Sequence, residues 1–176
     1  QKTAYEIRLS LVGSEMCIRD RYRMLAELDQ AGPAAAPTGT GSATTITSAS
    51  IMRSLRQAGT PEAAATAKLL KRGDVTLHLR PTDPDGAGAA GRQPWHTNEV
   101  HLYLDKAFST KYTASVVAHE TRHWLQGITP STYNVSHELD AYRWQSKAFG
   151  FGWSDADIEK TLRASGLYKG VKRATP

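Results

Sequence analysis

The chain contains the run His119-Glu120-Thr121-Arg122-His123. Residues four apart share a helix face, so both imidazoles can reach one divalent ion at about 2.0 to 2.1 Å. Glu120, next to the first histidine, is then angled toward the coordination position left for water, the arrangement needed for metal-assisted hydrolysis. Two histidines do not hold Zn2+, and a catalytic site takes a third protein ligand plus water. Glu138, fifteen residues after His123, supplies a carboxylate on the next helical stretch, with the small Ala141 one turn further on. His137 competes for the same position. Asp140 offers an acceptor that could orient a ligand histidine, and Tyr133, Tyr142 and His137 are the groups available to stabilise a tetrahedral oxyanion.

These residues need two helices held side by side. Thr110 to Gln126 reads as an amphipathic helix stopped by Gly127, and a second helix runs from about Ser136 to Phe149, stopped by Gly150. The short connection containing Pro130 favours folding the second back on the first. A third helix follows from Ser154, with Asp157 completing its cap, to Gly166. Upstream, Ile51 to Ala58 and Pro61 to Arg72 read as packing helices, the latter with Thr60 as cap, Pro61 at its first position and Gly73 as stop. Val75 to Leu79 and Val100 to Leu104 alternate apolar with polar residues, the period of half-buried strands, and are expected to be neighbours in a small sheet. Pro81 to Trp95, rich in Gly, Pro and Asp, is expected to be a long exposed loop. Its Asp83, Asp85 and Gly86 lack the later ligands of a calcium loop.

On His119-Glu120-x-x-His123 followed by Glu138-x-x-Ala141, the chain resembles the zincin metallopeptidases of the glutamate-ligand branch. The likeness spans roughly residues 98–149. It implies an α+β fold with a small sheet, a metal helix and a following helix carrying the third ligand. It also implies Zn2+ as cofactor, His119, His123 and Glu138 as ligands, Glu120 as catalytic base, and a peptide or protein substrate held extended by an edge strand, expected around Val100 to Leu104. The metzincin pattern does not fit, because Gln126 and Thr129 stand where it requires Gly and His. A looser similarity is to small zincin domains at the C-termini of bacterial effectors and toxins, which implies a secreted or delivered protein. Two other readings stay open: a non-catalytic module of zincin shape that binds zinc or a protein, and a DNA-associated zinc protein.

Composition narrows the field around this motif. The 176 residues, 40% hydrophobic and 22% charged, suit one domain with a modest core. No run approaches the roughly 18 to 20 apolar residues of a membrane-spanning helix. A net charge of +5 without interleaved aromatic residues disfavours nucleic acid. Arg53, Arg56, Lys68, Lys71 and Arg72 read as solvated faces, as does the basic tail 169–176 with Lys169, Lys172 and Arg173. Trp124, Trp144, Trp153, Phe149 and Phe151 read as packing residues, and His78, His96 and His101 show no ligand spacing.

Residues 1–20 resemble translated adapter of sequencing libraries: Gln1 to Ile7 matches one adapter, and Leu11 to Asp20 a second in the same frame. This segment holds the single cysteine, Cys17, so the remainder has no thiol with which to bind metal or form a disulfide. Its charges cancel, Lys2, Arg8 and Arg19 against Glu6, Glu15 and Asp20. An adapter joined to an open frame leads us to expect that native upstream sequence is missing. Residues 21–50 read as a linker or partial N-terminal segment, of which 31–50 is small and rich in Pro, Gly, Ser and Thr, and 51–168 reads as the metallopeptidase domain.

Overall fold

A computed structural model describes residues 45–84, 90–106 and 109–164. The adapter-like segment, most of the expected linker, Asp85, Gly86, Gly166 and the basic tail lie outside the described residues. Helix α1 is Ser48–Ala58, α2 Pro61–Arg72, α3 Thr110–Gln126, α4 Val135–Phe149 and α5 Asp155–Ala164. Strands β1 (Thr76–Arg80), β2 (Gly91–Arg92) and β3 (Glu99–Tyr103) form one sheet, and a single 3-10 turn, Leu104–Lys106, follows β3. The class is α+β.

Local chemistry accounts for the helix ends. Thr47 and Ser50 cap each other reciprocally, so α1 starts within the stretch expected to be linker. Thr60 caps α2 and Ser109 caps α3, while Gly127 and Gly150 close α3 and α4 in the left-handed conformation. The Thr60 hydroxyl also donates to Ala148 O at 2.8 Å, tying the start of α2 to the end of α4.

The sheet corrects one expectation. Its order is β1-β3-β2, with β1 parallel and β2 antiparallel to β3. The strand expected to form the edge is therefore central, and the edges are β1 and the two-residue β2, the latter within the stretch expected to be loop. Asp83 in that stretch is buried and lies 3.9 Å from the Arg92 guanidinium. Leu102 and Val100 point from β3 into a core shared with Ile51, Leu55, Ala114, Val117 and Ala118, and Trp124, Trp144 and Phe151 pack against it. A second cluster joins Tyr142 to Ile158 and Leu162 of α5, with Trp153 against it.

Helix α3 differs from the amphipathic helix expected. From Thr113 to Thr121 every residue is buried, as is His123. The helix is the axis of the domain, packed by α1, α2, α4, β2 and β3. Its small side chains, Ala114, Ser115 and Ala118, let neighbours approach from all sides. On β2 the approach is closest: a Cβ built on Gly91 would lie 2.7 Å from Val116 Cγ1 and 3.0 Å from Leu102 Cδ2. Gly91→Ala is therefore expected to destabilise the fold by about 1 to 3 kcal/mol through overpacking. The measurement is the denaturant midpoint, and an unchanged midpoint would contradict this packing.

Candidate metal centre

Helices α3 and α4 run against each other with matching polar stripes. On α3 the stripe is Ser115, His119, His123 and Gln126, and on α4 it is Glu138, Ala141, Tyr142 and Gln145, spaced at one and two helical turns. Ala141 is fully buried between them. His119, His123 and Glu138 converge, all buried, in a group that could hold a metal ion. His123 Nε2 lies 3.0 Å from His119 Nε2 and 3.0 Å from Glu138 Oε1, and His119 Nε2 lies 3.5 Å from Glu138 Oε2. Ligands at about 2.0 to 2.1 Å in a tetrahedron are roughly 3.3 to 3.4 Å apart, so the three need only small adjustments around one ion.

Hydrogen bonds behind the histidines decide which nitrogen faces this centre. The Gln126 amide donates to two groups that can only accept, the Asp140 carboxylate at 2.8 Å and the His137 carbonyl at 3.0 Å. Its oxygen is thereby turned to His123 Nδ1, 3.0 Å away, which must donate. Ser115 gives its hydroxyl proton to Tyr112 O at 2.7 Å and so accepts from Gln145 at 2.9 Å. The Gln145 oxygen then takes the proton of His119 Nδ1 at 3.2 Å. When neutral, both histidines are held with Nδ1 protonated and the Nε2 lone pair directed at the centre, the tautomer that a metal ligand requires.

Each remaining residue of the sequence reading has a definite place. Glu120 is 1% exposed and close enough for its charge to act on His123. Asp140 touches neither histidine; it accepts from Gln126 and from Arg122, at 2.6 Å, and reaches His123 through the glutamine. Tyr133 donates its phenol proton to Glu138 Oε1 at 2.7 Å. The Tyr142 ring packs edge-on against His119. His137 is not among the converging ligands: its Nδ1 accepts from the Asn134 backbone at the start of α4.

A cleft of about 680 Å³ reaches His123 from outside, bordered by Gln93, His96, Thr97 and Asn98 ahead of β3, by Glu99 at its start and by the end of α3. His96 there has a φ of 61°, a left-handed conformation uncommon outside glycine. No family model, curated protein or solved structure matches this chain. The chemistry of the site therefore rests on its own geometry.

Sequence reasoning passed over Gln126 and Gln145, although Gln126 follows His123 by one turn and Gln145 follows Glu138 by two. It also passed over a second group that could hold a metal, His78, Glu99 and His101. Its members sit on different strands, and only the pairing of β1 with β3 brings them together.

The buried charges are strongly linked. Burial alone would lower the His123 pKa, but the Glu138 carboxylate, aided by Glu120, outweighs it and leaves the imidazole raised. Burial would likewise raise Glu138, but the His123 charge and the hydrogen bonds to both histidines hold its carboxyl well below the usual range. Without metal, this pair stabilises the fold fully between the ordinary carboxylate and imidazole values of 4.5 and 6.5. That stabilisation is lost as pH falls through the lowered Glu138 value or rises through the raised His123 value. Thermal midpoints of chelator-treated protein should therefore fall on both sides of this window. Added divalent metal, which takes the place of the His123 proton, should restore the alkaline side.

Proposed function

We propose that this chain is a zinc-dependent metallopeptidase, similar to the glutamate-ligand zincins, that hydrolyses peptide bonds. The observation that carries the reading is the buried convergence of His119, His123 and Glu138, with both Nδ1 protons held by glutamines and Glu120 alongside. Two imidazoles and one carboxylate suit Zn2+ better than the hard cations Ca2+ or Mg2+, which take oxygen ligands. Bound there, Zn2+ would supply a Lewis acid that acidifies water and polarises the scissile carbonyl.

The protein side chains do the rest. Glu120 takes a proton from the attacking water and returns it to the leaving amine, so its carboxylate must stay off the metal. Gln126 and Gln145 keep the two imidazoles oriented, and Asp140 with Arg122 anchors Gln126. Tyr133, whose ring meets that of Trp95 edge-on at 5.7 Å, donates to the ligand Glu138. A peptide would enter along the segment 93–99, which borders the cleft at His123.

One observation favours a second reading, a non-catalytic metal-binding module. His119, Glu120 and Glu138 are almost fully enclosed, and Tyr133 donates to Glu138, as in a closed structural site. Glu120→Gln separates the two, because it keeps the hydrogen-bonding shape and removes the base. A metallopeptidase should retain its zinc and lose about 100- to 10,000-fold in peptide turnover, the usual worth of a general base. Mutant turnover equal to wild type would refute the role of Glu120. Stoichiometric zinc with no turnover of any peptide by the wild type would establish the module.

A further inference from the structure

We propose that His78, Glu99 and His101 form a second site for a divalent transition-metal ion of the Zn2+, Cu2+ or Ni2+ type, bridging strands β1 and β3. The sheet itself builds it. In the parallel register His78 stands directly opposite His101, and Glu99 is two residues before His101, so the three side chains share a sheet face. Leu77, Leu79, Val100 and Leu102 alternate with them and pack on the other face.

The atoms converge as ligands do. Glu99 Oε2 lies 2.9 Å from His101 Nε2, and Glu99 Oε1 lies 3.6 Å from His78 Nε2. These separations straddle the roughly 3.3 to 3.4 Å expected between ligands of a tetrahedral ion. The two rings meet edge-on with centroids 5.0 Å apart. His78 Nε2 is itself buried and makes no hydrogen bond, an unmet coordination capacity aimed at the carboxylate.

The arrangement is poorly suited to a stabilising ion pair. The Glu99 side chain is 41% exposed, where an ion pair contributes little. Two nitrogens and one oxygen select a borderline transition metal over Ca2+ or Mg2+. With three protein ligands and an exposed side, the ion would keep a position for solvent or an incoming group. Of the three residues, Glu99 also borders the cleft that reaches His123.

The test is a Zn2+ titration of the full chain carrying Cys17→Ser, so that no thiol contributes, with uptake counted by competition against a chromophoric chelator. His78→Ala and Glu99→Gln are titrated alongside; the second keeps shape and needs little from the fold. In both, one equivalent of uptake should disappear or weaken at least about tenfold relative to the parent. Uptake unchanged from the parent in either folded variant would overturn the proposal. The result does not depend on the hydrolase reading: should the buried cluster take no ion, His78→Ala would abolish all the uptake instead of part of it.

Discussion

A carboxylate and two imidazoles are buried together between two helices, and the rest of the fold accommodates that fact. Removing an ionised carboxylate from water costs several kcal/mol unless positive charge and hydrogen bonds replace the lost hydration. Around Glu138 the replacements are His123, His119 and the Tyr133 phenol. Because Nδ1 of each histidine is occupied by a glutamine oxygen, the Nε2 lone pairs can only face inward. Three electron-rich atoms then share a space that one cation satisfies.

Packing follows from this demand. The His-Glu-His group requires α3 and α4 in close contact over several turns, which the small residues Ser115, Ala118 and Ala141 permit. The sheet in turn presses on α3 through Gly91, where any side chain would meet Val116. A helix enclosed on every side cannot tilt freely, which holds His119 and His123 in place against Glu138. The same enclosure limits solvent access to His123 and the cleft beside residues 93–99.

Much of this was legible from residue types at fixed spacing. The bounds of α2 and α3 follow from Thr60, Pro61, Gly73 and Gly127, because capping is a local matter of a few dihedrals and hydrogen bonds. The pairing of Glu138 with the two histidines was legible through helical periodicity and a short connection. What escaped depends on distant pairings. Strand β2 has two residues, too few to show a period, and it displaced β3 from the edge. The burial of α3 was hidden because polar residue types, Thr113, Ser115, Glu120 and Thr121, stand among its apolar ones. His78 and His101 gave no ligand spacing because 22 residues separate partners that a parallel register sets opposite each other.

The most direct test of the account is the metal content of the Cys17→Ser, His78→Ala chain, expressed without added metal, dialysed against a weak chelator and measured by elemental analysis. Those substitutions leave the buried cluster as the candidate holder of an ion among the described residues. The account predicts about one zinc per chain, lost on further substitution Glu138→Ala. A folded chain that carries no divalent metal, even after reconstitution with zinc, would contradict it and leave His119 and His123 as ordinary helix residues.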